Sequence, residues 1–321
     1  MRCLTLAESL AKVGWEVRFA GGAGTIESSP LLRQSGHMCV EVPPAQTDDT
    51  VWLNQRCGGT IDLLIVDHYQ LDAVFETGCR AWTERIMVID DLADRPHDCD
   101  ILLDQTFGRQ MEDYAALVPP HCKRLIGTDY ALVRPQFAAV RDDAIRRRAA
   151  RTEVERIFVS MGTTDPVNAT ALVLAALEGL DRKMIIDVVI GGTAAALPEI
   201  TMRSRSLGVE LHVDRADVWN VMAEADMAIG AGGTSSWERC VLGLPTLLIV
   251  IAENQRDLAA SLQQAGAAES IRYSENLSVR GLTEVIARLC NDSAKRQAMA
   301  EAAAAIVDGR GVTRVTQVLL S

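Results

Sequence analysis

The sequence predicts an α/β fold of two parallel-sheet domains, residues 1–150 and 151–321, that face a cleft. Three observations predict it. Short apolar runs alternate with helical or polar stretches through the first half, and a second alternation of the same kind begins at Ile157. Between the two, Arg141, Arg146, Arg147, Arg148 and Arg151 crowd a polar segment that reads as a solvated helix and interdomain linker rather than a nucleic-acid patch. In the second half, Ala-Gly-Gly-Thr-Ser-Ser-Trp-Glu at 231–238 joins an apolar run, 227–229, to a helix-like stretch, 236–242, through a Gly-rich turn.

Leu4, Leu6, Leu10 and Val13 lie at helical spacing, so the chain opens in a helix that Gly14 can end. Residues 16–20 read as a strand closed by Gly21-Gly22. Apolar runs at 63–66, 86–89 and 101–103 suit short buried strands, and the stretches between them, such as 69–84, are helical or polar. From Ile157 the pattern is strand 157–160, turn 161–168, helix 169–180, strand 185–190, turn Gly191-Gly192, strand 209–213 and helix 218–225. The 231–238 turn follows, and Gly243-Leu244-Pro245 leads to strand 246–251. Helices rich in alanine and leucine, 282–307 and 313–320, form the tail of the second domain. Such βαβ alternation implies parallel sheets covered on both faces, with ligands bound outside the carboxyl ends of the strands. A doubly wound domain ordinarily starts with a strand, yet this chain starts in a helix. The expectation is a first domain that lacks its first strand, or a protein whose true start lies upstream of Met1.

Composition narrows the function. A length of 321 residues suits two domains, and 48% hydrophobic against 23% charged residues supports a full core. Aromatic residues, at 4%, are too few to build stacking platforms for single-stranded nucleic acid. A net charge of -11 opposes general binding of nucleic acid or anionic membrane, while a small anion can still be held by local N–H groups. The eight cysteines form no CxxC pair and read as reduced thiols of a cytoplasmic protein. Neither they nor the five histidines cluster as zinc ligands. No run reaches the roughly 18 apolar residues of a membrane span, and no signal-peptide pattern opens the chain.

The 231–238 turn suits an anion. It offers small residues, hydroxyls and unsatisfied N–H groups at the start of a helix, the setting in which phosphates bind. Thr234, Ser235 and Ser236 can donate to phosphate oxygens, and Glu238, one turn into the helix, can accept from ribose or sugar hydroxyls. An ordinary connection that uses glycine for tightness fits the same letters. Turn 161–168 has the same setting, so Gly162, Thr163 and Asn168 can meet a pyrophosphate. That stretch also reads as a helix cap, with Asp165 at the N-cap and Pro166 at the first helical position, and the two uses are compatible. After strand 246–251, the amides of Asn254 and Gln255 can both donate and accept, as sugar hydroxyls or acetamido groups require.

Several stretches taken together resemble one family. They are Met-Arg-Cys-Leu-Thr-Leu-Ala at 1–7, Val-Asp-His-Tyr-Gln-Leu-Asp at 66–72, Ile-Asp-Asp-Leu-Ala-Asp-Arg at 89–95, Cys-Asp-Ile-Leu-Leu-Asp-Gln at 99–105 and Tyr-Ala-Leu-Val-Arg-Pro at 130–135. They continue with 160–168, 231–245 and Glu-Asn-Gln at 253–255. Over residues 1–266 the chain resembles the nucleotide-sugar hydrolase of pseudaminic acid biosynthesis, which removes UDP from UDP-2,4-diacetamido-2,4,6-trideoxy-β-L-altrose. That enzyme is similar in fold to glycosyltransferase-B enzymes, notably the GlcNAc transferase of peptidoglycan synthesis. The resemblance therefore implies two Rossmann-like domains of glycosyltransferase-B type. It implies UDP held by 161–168 and 231–238, Tyr69 near the sugar, and attack of water at C1. It implies no cofactor and no metal, because fixed dipoles can meet the charge of the departing diphosphate. The implied partner is a UDP-sugar, with no nucleic acid and no membrane span.

This chain departs from that family in three places. The family's Gly-x-Gly-His loop, whose histidine is its general base, comes just before the Met-Arg-Cys stretch, and Met1 is the first residue here. The usual Gly-Gly-Thr-Asp-Pro reads Gly-Thr-Thr-Asp-Pro at 162–166, and the usual Leu-Asp-Gln-Asn ends in Thr106. His68 is the histidine beside a candidate catalytic loop and reads either as a substitute base or as an unengaged loop residue. Tyr69 reads either as a sugar contact or as packing against the neighbouring helix. Asp90, Asp91, Asp94 and Arg95 read as an ion-paired turn or as a carboxylate cluster for a metal. Three functions fit: a UDP-sugar hydrolase, favoured by the first-half matches; a glycosyltransferase, which the second-half motifs serve equally; and a nucleotide-sugar-binding protein without catalysis, favoured by the absent histidine.

Overall fold

The apolar runs form strands β1 (Arg18–Gly21), β2 (Met38–Glu41), β3 (Ile61–Val66), β4 (Thr83–Ile89), β5 (Ile101–Asp104) and β6 (Lys123–Ile126). They continue as β7 (Arg156–Ser160), β8 (Ile185–Ile190), β9 (Glu210–Val213), β10 (Met227–Ala231), β11 (Thr246–Val250) and β12 (Ala268–Arg272). The computed structural model describes residues 1–27, 29–274 and 277–321. The ladders between these strands are all parallel. The chain divides into two compact units, Met1–Val133 with Arg310–Ser321, and Arg134–Gly309.

In the second unit the strand order is β12-β11-β10-β7-β8-β9. The chain winds one way through β7, β8 and β9, returns to place β10 beside β7, and winds the other way. The reversal between β7 and β10 is the topological switch point, outside whose carboxyl ends ligands bind in doubly wound sheets. There Gly230 pairs with Ser160, and on the other side of β10 Ala231 pairs with Ile249. Every residue of β10 and β11 is buried, as expected of parallel strands covered on both faces. Ile157, Val159, Ile229, Leu247 and Ile249 share their core with Val173, Leu174, Ile286 and Leu289 from the covering helices. Burial of each such side chain contributes roughly 1.5–3 kcal/mol.

In the first unit, β3-β4-β5-β6 run in chain order, and β1-β2 form a separate two-stranded sheet. The opening helix Arg2–Lys12 buries Leu6 and Leu10 against Met87, Ile89 and Leu103 of β4 and β5. The closing helix Gly311–Leu320 joins the same core through Val312, Val315 and Leu319, and Thr316 Oγ1 donates to Ser9 Oγ at 2.9 Å.

Two expectations change here. The units divide between Val133 and Arg134 and again at Gly309, not at residue 150, and the last helix belongs to the first unit rather than to the tail of the second. The reason is packing: the Leu6–Leu10 stripe is covered by that helix. The arginine-rich segment is a helix, Pro135–Ala149, but not a solvated linker. Arg141 donates to the carbonyls of Val241, Ala304 and Val307, and Arg148 to those of Ala225, Leu242 and Gly243. Arg147 reaches Ala223 and Ala225. These carbonyls lie at the C-terminal ends of three helices, where orphan acceptors and the helix dipole both favour a cation.

Candidate functional site

At the switch point β10 delivers the chain into the Gly-rich turn, and the helix Ser235–Val241 follows. Gly232 N–H donates to Gln255 Oε1 at 3.3 Å. Among the described residues no acceptor engages the N–H groups of Gly233, Thr234 and Ser235. Thr234 is exposed and Ser235 half-buried, so both are open to a ligand. Ser236 is 1% exposed, and its Oγ accepts from Arg239 Nη2 at 2.9 Å, so its oxygen serves the scaffold.

Glu238 stands on the first turn of the helix, partly buried. Burial pushes its carboxyl pKa up, and the Arg134 guanidinium opposes that shift from 3.4 Å. The Oε2 atom has no partner among the described residues, so one carboxylate oxygen remains free to accept from hydroxyls. Arg134 is itself fixed: it donates to Ala216 O at 2.8 Å and lies over the rings of Trp219, at 5.0 Å, and Phe137, at 5.4 Å. Arg134 was absent from the sequence-based candidates; its signal is the Arg-Pro pair that opens a helix.

The loops after β7 and β11 flank the turn in strand order. In the first, Gly162 adopts a φ of +92, which its lack of a side chain permits, and Gly162, Thr163 and Thr164 are exposed with N–H groups that no described acceptor engages. The expected cap is rearranged. The helix begins at Ala169, with Asn168 at the N-cap and a φ of 52, so Pro166 precedes the helix instead of opening it. Asp165 still caps, because its two carboxylate oxygens accept from Ala169 N and Thr170 N at 2.9 Å each. Asn168 spends its amide nitrogen on Glu199 Oε2 at 2.8 Å, so that donor braces the loop. After β11, Gln255 Oε1 accepts from Ile251 N at 3.1 Å as well as from Gly232 N, which ties this loop to the Gly-rich turn. Asn254 is exposed and its amide free among the described residues.

In the first unit the loop after β3 begins with Asp67, which receives the Arg2 guanidinium fork at 2.6 and 3.0 Å and the Cys3 thiol at 3.0 Å. Burial alone would raise the Asp67 pKa, and the hydrogen bonds and charge of Arg2 outweigh it, leaving the carboxyl below its usual range. Arg2 also donates to Asp91 Oδ2 at 3.1 Å. Tyr69 is 54% exposed and its hydroxyl reaches the same Asp91 oxygen at 3.4 Å, so packing against the neighbouring helix does not hold it. His68 is engaged rather than free: its Nδ1 accepts from Gln70 N at 3.1 Å. The aspartate turn is ion-paired. Arg95 meets Asp90 and Asp94 at 3.0 Å each, and buried Asp90 accepts from Ala93 N and Tyr114 Oη at 2.8 Å. Asp187, Glu210 and His212, in the second unit, lie close enough to hold a cation, but Arg156 donates to both carboxylates at 2.6 to 3.2 Å and supplies that charge itself.

Two α/β units of parallel strands, the second doubly wound with the open donors at its switch point, form a glycosyltransferase-B fold. The crystal structure of Acinetobacter baumannii MurG superposes with a TM-score of 0.67 at 13% identity, over 99% of this chain and 95% of that one. Residues 206–311 match the glycosyltransferase family 28 C-terminal domain. The chain is similar to the spore coat polysaccharide biosynthesis protein SpsG of Bacillus subtilis (strain 168), 28% identical over 199 residues, 60% of this chain and 57% of that protein. The match thus spans less than two thirds of that relative. It also resembles the UDP-2,4-diacetamido-2,4,6-trideoxy-beta-L-altropyranose hydrolase of Campylobacter jejuni, 27% identical over 214 residues, 66% of this chain and 74% of that one. Among the described residues no helix is long and apolar enough to cross a membrane.

Proposed function

We propose that the chain acts on a UDP-linked sugar and cleaves it by hydrolysis at C1, on a diacetamido-trideoxy sugar of the kind named for the Campylobacter relative. The observation that carries the nucleotide part is the row of acceptor-free N–H groups at Gly233, Thr234 and Ser235, with the free Oε2 of Glu238 one turn on. The diphosphate oxygens accept from the turn, and Glu238 accepts from the ribose hydroxyls. Thr163 and Asn254 add exposed polar groups from the flanking loops. A water oxygen bonds to C1, the bond from C1 to the diphosphate oxygen breaks, and UDP leaves with the electron pair, its charge met by fixed N–H dipoles. The proton from water passes to a base. The Nδ1 of His68 accepts from Gln70 N, so for His68 to be that base this hydrogen bond must break.

Turnover of the UDP-sugar in ¹⁸O-water tests this reading. The expected result is label in the free sugar and none in UDP; label in UDP sinks C1 attack. A second reading, transfer to an acceptor, is supported by the family 28 match at residues 206–311. It requires UDP release that depends on an added acceptor. Tight binding with no turnover under either condition would leave a nucleotide-sugar-binding protein.

A further inference from the structure

Arg239 heads the largest fully buried side chains, at 1% exposed. Its guanidinium lies behind the Gly-rich turn, where Nη1 donates to Ser235 Oγ at 3.2 Å and Nη2 to Ala231 O at 2.7 Å and Ser236 Oγ at 2.9 Å. All three acceptors are neutral. Its Nε has no partner, and among the described residues no carboxylate is ion-paired with it; Glu238, its neighbour in sequence, is turned to Arg134. Gly230 makes the room: a Cβ there would stand 2.6 Å from Nη1 and 3.0 Å from Ser160 O. A glycine inside a central strand marks such a close approach. The cation therefore packs against Gly230 and the carboxyl end of β10, at the switch point.

Burying a charge without a counterion is strongly unfavourable, and burial pulls this guanidinium down to about 10. Beside it stand the acceptor-free N–H groups of Gly233, Thr234 and Ser235. Positive potential from two sources meets at one turn, and the nearby carboxylate that acts on Arg239, Glu238, is itself ion-paired with Arg134.

We infer that Arg239 is the positioning residue of the diphosphate site: it holds Ser235 Oγ as an acceptor, so that the Ser235 hydroxyl proton points to the ligand, and its buried charge is balanced by the phosphates. The inference rests on the proposed nucleotide reading of this turn. It acts without contact, through a low-dielectric interior in which a fixed charge is felt more strongly than in water. Affinity should therefore scale with ligand charge.

Calorimetric titration of wild type and Arg239→Gln with uridine, UMP, UDP and inorganic pyrophosphate tests it. Arg239→Gln should lose about tenfold or more for UDP and pyrophosphate, less for UMP, and under about twofold for uridine, with Arg239→Lys recovering part of the loss. Equal losses for uridine and UDP would make Arg239 a structural brace and overturn the inference, as would an unchanged UDP affinity. Wild type that binds pyrophosphate but neither UDP nor uridine sinks the nucleotide reading and leaves the charge-scaled role of Arg239 standing. Should Arg239→Gln fail to fold, wild type with ¹⁵N-labelled arginine decides: an Nε–H resonance that moves with pyrophosphate and not with uridine supports the inference, and one indifferent to both overturns it.

Discussion

The loops at the carboxyl ends of the strands carry opposite electrostatics in the two units. In the second, N–H groups are open in two loops, three after β7 and three after β10, and the cation behind the latter is hydrogen-bonded to neutral acceptors. In the first, carboxylates dominate and each is answered from within: Asp67 and Asp91 share Arg2, Asp90 holds Arg95, and Asp104 holds Arg109 at 2.6 Å. A loop whose polar groups are satisfied internally gains order and loses appetite for an anion. On the proposed reading, anion affinity belongs to the second unit, and the first unit's aspartates are ties between its own loops.

The largest expected effect tests the independence of the two. Leu6→Ala empties a fully buried position of the first unit; it should cost about 2–5 kcal/mol of stability in urea titrations, while the folded protein binds UDP as before. A matched fall in UDP affinity would break the contrast. Next, Glu238→Ala should weaken UDP by about 1.5–3 kcal/mol, the worth of hydrogen bonds to a charged group. It should also erase any preference for uridine over its dideoxy analogue, both read by calorimetry. Asp67→Asn should destabilise by roughly 1–2 kcal/mol at neutral pH through the loss of a partly buried charge-assisted pair. The sign with pH follows from the direction of its shift. The folded carboxyl titrates below the unfolded one, so its contribution is complete above the ordinary carboxylate range and disappears as pH falls through the lowered folded value. Wild type should therefore lose more stability on acidification than Asp67→Asn, and parallel acid limbs would count against the Arg2–Asp67 tie. Tyr69→Phe removes one long hydrogen bond from an exposed side chain; it should change stability by less than about 0.5 kcal/mol, so any large loss of turnover would give Tyr69 a role at the substrate.

The fold class was legible because parallel strands covered on both faces are continuous apolar runs, as in Thr246–Val250, and need no distant information. The unit boundary was not. Arg141 and Arg148 look solvated until the carbonyls they cap are known, and Val307 lies 166 residues beyond Arg141. Nor do the residues of Gly311–Leu320 say which core their apolar face joins. At the candidate site, the strand, Gly-rich turn and helix that carry Glu238 were legible because they are contiguous. Ser236, Asn168 and Gln255 read as ligand contacts from their chemistry alone, yet each commits a polar atom to the scaffold through a partner that composition does not reveal. Arg239 was missed because an arginine on a short helix reads as surface. The available signal was Gly230, a residue without a side chain inside an otherwise apolar strand, nine positions earlier.

The closing helix has a consequence for the order of events at the ribosome. Leu6 and Leu10 precede the second unit in the chain, but Val312, Val315 and Leu319, which complete their core, follow it. The second unit, Arg134–Gly309, is translated in full before that cover exists. Domains of a nascent chain commonly mature from the N-terminal end; here the half that is born first must wait, its helix uncovered, for the half born second to finish.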